Sequence, residues 1–205
     1  MARQVVFLSG VRTAIGGGGG SLKDVPPGDL AATCVREAVK RAGIDPTDVG
    51  HVVFGNVIHT DPHDHYLPRI AGVKGGLPHE VPALTLNRLC GSGMQAILTA
   101  AQAIILGDAE AAVAGGAENM SRSPYSAPAM RWGARMNDAK LVDMMVGALS
   151  DPFDDCHMGV TAENVAKKWN VSREDQDALA VESHRRAAAA IEAGGFVDPI
   201  VSGGI

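Results

Sequence analysis

The chain has 205 residues, 46% of them hydrophobic, enough to fill the core of one full domain or of one domain with a smaller unit beside it. Its 18 basic and 23 acidic side chains leave a formal charge of −5. That balance excludes an overall basic field for nucleic acid or anionic lipid, so a phosphate-bearing ligand has to be held locally.

The N-terminal "MARQVVFLSGVRTAIG" has an apolar run too short for a signal-peptide core, and no stretch reaches the roughly 20 apolar residues of a membrane span. Three cysteines, Cys34, Cys90 and Cys156, form an odd set without paired spacing and read as free thiols of a reducing compartment. A cytoplasmic protein is expected, with no membrane and no nucleic-acid partner.

"QVVFL" at 4–8 is a short apolar run closed by Ser9 and Gly10, which predicts a strand buried on both faces. Five consecutive glycines, 16–20, follow it. They lack the Lys-Ser/Thr ending of a phosphate loop and the interspersed residues of a dinucleotide fingerprint, so a plain turn is expected. "PPGDLAATCVREAVKRAG" opens with proline, repeats apolar residues at helical spacing and stops at Gly43. It predicts a helix with Cys34 on the core side. "HVVFGNV" at 51–57 repeats the buried-strand pattern, and strand, helix, strand in that order predicts a parallel sheet with crossover connections.

A helix over 66–74, a strand at 81–87 and a fourth strand at 111–116 extend the series. Between the last two, "GSGMQAILTAAQAIIL" is almost uncharged, which predicts a helix buried around most of its circumference. From about Glu118 the pattern becomes irregular and rich in Pro, Met, Ser and Arg. Two helices follow, "TAENVAKKWN" and "SREDQDALAVESHRRAAAAIEAGG", the second opened by Ser172 with Asp175 and closed by glycines. "DPIV" near the end reads as a further strand or loop. Four parallel strands with a helical appendage would leave outer sheet positions open, so a missing half or an obligate partner is expected.

Chemistry concentrates in "NRLCGSGMQA" at 87–96. A cysteine between a strand end and a buried helix start receives free backbone N–H groups and the positive helix end, which favours a nucleophilic thiolate. Gly91 and Gly93 keep side chains away, so a carbonyl can approach and the amides can stabilise an oxyanion. A structural cysteine beside small packing residues fits these residues equally well. "HTDPHDH" at 59–65 gathers three of the seven histidines with two aspartates. Zinc is conceivable there, but Pro62 opposes a regular helix presenting two ligands on one face, so a solvated or interface loop is the reading and no metal site is assigned.

"LCGSG" leading into a buried helix resembles the nucleophile segment of the thiolases. "SGVRTAIGGGGGSLKD", "GNV", "VAGGAENMSRSPY" and "HMGVTAENVAKKW" resemble further thiolase segments in the right order, covering nearly the whole chain. The likeness is to the bacterial acetyl-CoA acetyltransferase and 3-ketothiolase type. It implies a thiolase-like layered α/β/α fold with a mainly parallel sheet in an incomplete domain over 1–118, and a helical loop domain, also incomplete, over 119–205. It further implies acyl transfer between CoA thioesters through an acyl-cysteine on Cys90, with Leu89, Leu149, His157 and Met158 lining the acyl and pantetheine end of the site. No cofactor is implied, CoA and acyl-CoA being substrates, and a homo-oligomer, dimer or tetramer, is expected, with the histidine-rich loop toward subunit contacts.

Gly17, Gly18 and Asn119 depart from the usual pattern without touching that chemistry. The Gly-His-Pro histidine, the Asn-Glu-Ala-Phe segment and the second cysteine of the family are absent from these residues, so the chain is expected to be truncated before a second repeat and inactive by itself. Two other readings compete: a decarboxylating ketoacyl synthase, against which "GGAENMS" and "HMGVTAENVA" speak, and a non-catalytic interaction module.

Overall fold

The computed structural model describes residues 4–201. Helix α1, Pro27–Ala42, starts where proline's missing N–H costs nothing and ends at Gly43, whose φ of 66° lets its N–H return to the Lys40 carbonyl. Strand β1, Val49–Gly55, leads through a proline-containing 3-10 turn to helix α2, Leu67–Gly75. Strand β2, Ala83–Leu86, helix α3, Ser92–Leu106, and strand β3, Ala111–Gly116, complete the layered part. The three strands form one parallel sheet in the order β2-β1-β3, with Val53 level with Leu84 on one side and Ala114 on the other.

Alternation along β1 divides the core. Val52 and Phe54 face α1 and α2, where Val35, Leu67, Ala71 and Leu77 are buried with them. Val53 faces the other way, onto Ala96 and Ala100 of α3. The result is an α/β/α sandwich with the sheet in the middle. Gly75 is required where α2 crosses α1, since a Cβ there would lie 2.6 Å from Val35 Cγ1.

Four expectations need correction. Residues 4–8 are extended but form no strand among the described residues, and Phe7 is 82% exposed. An apolar run becomes a buried strand only where neighbouring strands supply its hydrogen bonds, and among the described residues the first backbone pairing comes later, where Arg12 bridges Pro199 and Val201. The sheet therefore has three strands, not four. Helix α3 buries only the stripe of Ser92, Ala96 and Ala100 against the sheet, while Met94, Leu98, Ile105 and Leu106 are exposed, because among the described residues no second layer lies over its outer side. Leu89–Leu106, at a mean hydropathy of 1.5, also has the length and composition of a short membrane span. Its packing on the sheet makes it a layer of the α/β fold instead.

Beyond Gly116 lie a two-stranded antiparallel ribbon, β4 at Tyr125–Ser126 with β5 at Val142–Asp143, and three helices: α4 Met144–Ala148, α5 Met158–Trp169 and α6 Arg173–Glu192. Ser172 Oγ accepts the Asp175 amide at 3.0 Å, the cap its position predicted. None of α4, α5 and α6 contains a buried residue, so their charged faces are solvated. The five glycines make an exposed turn, in which the Gly19 N–H donates to Ser121 Oγ at 2.9 Å. Cys34 is half-buried on α1, and burial pushes its thiol pKa up.

Candidate active site

Cys90 is exposed, on the turn between β2 and α3. The turn is strained at Leu89, a non-glycine residue with φ of 48°. Four contacts hold it. Asn87 Oδ1 accepts the Leu89 N–H at 2.9 Å, and the Leu89 carbonyl accepts both the Ser92 N–H at 2.9 Å and Ser92 Oγ–H at 2.7 Å. Ser92 Oγ in turn accepts the Arg88 N–H at 2.8 Å. Ser92 is itself wedged against β1: a Cβ on Gly55 would come within 2.5 Å of Ser92 Cβ. The backbone thus swings the cysteine out of the sheet while its neighbours stay locked in.

Helix α3 begins directly after the thiol, and the amides of Gly93 and Met94 find no acceptor among the described residues. Space beside Gly93 is open, as apart from its chain neighbours and its own helix backbone nothing among the described residues lies within 4 Å of where its Cβ would be. Donors of this kind next to a nucleophile suit a developing oxyanion. No histidine among the described residues is hydrogen-bonded to Cys90.

The turn lies at the carboxyl ends of the parallel strands, the edge where open α/β sheets place ligands. There the ends are tied to one another. The Asn56 N–H donates to the Leu86 carbonyl at 3.1 Å, and Asn56 Nδ2 donates to the Ala117 carbonyl at 2.9 Å. Glu118, directly past β3, accepts from the Val57 N–H, from the Ile58 N–H at 3.2 Å and from Asn56 Nδ2 at 3.1 Å. Although Glu118 as a residue is exposed, its carboxyl end is turned in among these groups, and the loss of water there raises its pKa despite the bonds it accepts. Asn119, buried, donates its Nδ2 to the carbonyls of Leu22, Lys23 and Val25 and so holds the loop after the glycines.

The other four expected site residues divide into two places. Leu89 precedes Cys90 and is 55% exposed. Leu149, His157 and Met158 come together 60 residues and more downstream, where the Met158 N–H donates to the Leu149 carbonyl at 2.8 Å and Ser150 bridges His157. His157 Nδ1 accepts the Gly159 N–H at 3.1 Å, which makes it the N-cap of α5. No hydrogen bond among the described residues joins this second group to Cys90. In the histidine-rich loop, His59 and His65 meet edge to face at 4.5 Å, and Asp61 accepts the His63 N–H, the main cause of its lowered pKa. No cluster of metal-ligating side chains is present among the described residues.

Residues 5–203 match the thiolase N-terminal domain family. The chain belongs to the thiolase family. This thiolase chain is 66% identical over 201 residues to the beta-ketothiolase BktB of Cupriavidus necator, covering 98% of the chain and 51% of that protein. With the acetyl-CoA acetyltransferase of the same organism it shares 49% identity over 198 residues, covering 96% of the chain and 50% of the relative. The thiolase chain therefore spans about half the length of the curated relatives it matches. Its fold superposes on the crystal structure of the Bacillus anthracis acetyl-CoA acetyltransferase with a TM-score of 0.92 at 42% identity, covering 98% of this chain and 50% of that one. Against human mitochondrial 3-ketoacyl-CoA thiolase in complex with CoA the TM-score is 0.90 at 39% identity, covering 94% and 49%.

Sequence reasoning missed Asn56, Asn87, Ser92 and Glu118 of this thiolase. The signal was available: each is a polar residue just past the carboxyl end of an apolar strand or at the first position of an apolar helix, where a polar group needs a reason.

Proposed function

We propose that this chain supplies the nucleophile of a thiolase that transfers acyl groups between CoA thioesters. The observation that carries the reading is the exposed Cys90 thiol on a strained turn, at the start of α3 and at the carboxyl edge of a parallel sheet. The Cys90 thiolate attacks the thioester carbonyl, the Cys90 S–C bond forms, and the bond to the CoA sulfur breaks as CoA departs and takes up a proton. A second acyl-CoA, deprotonated beside its carbonyl, then attacks the acyl-cysteine: the C–C bond of a 3-ketoacyl-CoA forms as the acyl bond to the Cys90 sulfur breaks and the thiolate is released. The reverse direction is thiolysis. The names of the relatives, beta-ketothiolase and acetyl-CoA acetyltransferase, and the CoA held by the human thiolase support this substrate class.

Leu89, Leu149, His157 and Met158 are the residues of this chain that line the acyl and pantetheine path in that reading. With no base hydrogen-bonded to Cys90 among the described residues, these 205 residues alone give little or no turnover. Exposed large apolar side chains such as Trp132 and Met136 support assembly into a homo-oligomer, dimer or tetramer, and the three free thiols support a cytoplasmic location.

The test is intact-mass measurement of the full-length protein after incubation with acetyl-CoA, followed by peptide mapping. An acetyl adduct on Cys90 that Cys90→Ala lacks supports the reading. Acetylation confined to another residue, or none at all in an active preparation, overturns it.

A further inference from the structure

Glu118 is not adjacent to Cys90, yet every group it binds belongs to the platform on which the Cys90 turn rests. Its two carboxylate oxygens accept from three donors, the amides of Val57 and Ile58 and the side-chain amide of Asn56. Such a set calls for a group that only accepts. A carboxyl group meets it, since both of its oxygens can accept whether or not it carries a proton, whereas a glutamine would turn its NH2 against at least one N–H.

The platform connects to the nucleophile in three ways. The Asn56 N–H ties the end of β1 to Leu86, the residue before Asn87. The Val57 carbonyl accepts Asn87 Nδ2 at 3.5 Å, and Asn87 Oδ1 accepts the Leu89 N–H at 2.9 Å, the bond that helps keep Leu89 in its left-handed conformation. On the other side, a Cβ on Gly116, two residues before Glu118, would lie 3.6 Å from Gly93 Cα, so the end of β3 touches the first turn of α3.

We propose that Glu118 is a positioning residue for Cys90: by clamping the ends of β1 and β3 together it fixes the floor from which Asn87 and Ser92 hold the strained turn that presents the thiol. The proposal rests on the reading of Cys90 as the nucleophile. Asn119 is the built-in comparison. It is the next residue and also makes three hydrogen bonds, but to the carbonyls of Leu22, Lys23 and Val25 rather than to the groups that Glu118 holds.

The experiment is the rate of Cys90 alkylation by iodoacetamide in the full-length protein, read by peptide mass mapping, with Cys34 and Cys156 as internal standards and thermal melts run in parallel. Glu118→Gln and Glu118→Ala are expected to slow Cys90 about fivefold, the population change that one lost hydrogen bond carries, with Cys156 unchanged. Asn119→Ala is expected to lower the melting temperature and leave the Cys90 rate as it is. Wild-type Cys90 rates in both Glu118 variants overturn the proposal, as does equal slowing of all three cysteines or an equal effect of Asn119→Ala. Glu118→Gln keeps the side chain's size, so it decides the matter should Glu118→Ala fail to fold. The readout needs no CoA thioester: absence of an acyl adduct on Cys90 would overturn the proposed function, and the alkylation rates would still judge Glu118.

Discussion

Replacing Gly55 by alanine tests the link between sheet packing and nucleophile most directly. The added Cβ would sit 2.5 Å from Ser92 Cβ and 2.8 Å from the Ser92 carbonyl carbon. Carbon atoms in contact rest about 3.5–4.0 Å apart, so the first turn of α3 has to back away by about 1 Å. Overpacking of that kind costs about 1–3 kcal/mol. The lower backbone entropy of alanine in the unfolded chain offsets about 0.4–1 kcal/mol, since Gly55 lies in a strand whose conformation alanine accepts. At the middle of both ranges a net loss of about 1.3 kcal/mol follows, or roughly 3–5 °C in melting temperature for a chain of this size. The same displacement pulls Ser92 Oγ off the Leu89 carbonyl and the Arg88 N–H, bonds of 2.7 and 2.8 Å, so Cys90 reactivity changes with stability. Thermal melts and iodoacetamide rates measure both, with Gly18→Ala as control because its Cβ would meet nothing within 4 Å. Wild-type stability together with a wild-type Cys90 rate in Gly55→Ala would refute the argument.

Three further outcomes are expected. Leu67→Ala removes a fully buried side chain from the cluster between α1, α2 and β1 and should cost about 2–5 kcal/mol, seen as a lower urea midpoint at unchanged slope. Leu89→Val puts a β-branched residue at φ of 48° and should lose about 1 kcal/mol or more, whereas Leu89→Gly should melt no lower than wild type. For Glu118 the sign of the pH effect follows from its pKa, raised above the usual 4.5 by burial. The folded chain keeps a proton there that the unfolded chain has released, so this contribution to stability is greatest at low pH and is lost as pH rises from about 4.5 through the folded-state value. Urea midpoints of wild type and Glu118→Gln between pH 4 and 7 should therefore diverge in favour of wild type toward the acid end; a constant difference would contradict the buried carboxyl.

The sequence by itself determined the elements whose signals are local. Helix α1 declares itself through Pro27, its apolar spacing and Gly43, and α6 through Ser172 and its glycines, because caps and periodicity depend on residues a few positions apart. The turn carrying Cys90 was legible for the same reason, as a strand end, glycines and an apolar run in ten residues. Tertiary structure alone decided the rest. Residues 4–8 have a buried strand's composition but lie exposed, since a strand exists only with a partner of suitable register. Helix α3 is apolar all round, yet which side is covered depends on the layers placed against it. The bracing by Glu118 stayed hidden because it joins Val57 and Ile58 to a residue 60 positions away: only the parallel pairing of β1 with β3 brings those strand ends together, and no spacing rule along the chain encodes that meeting.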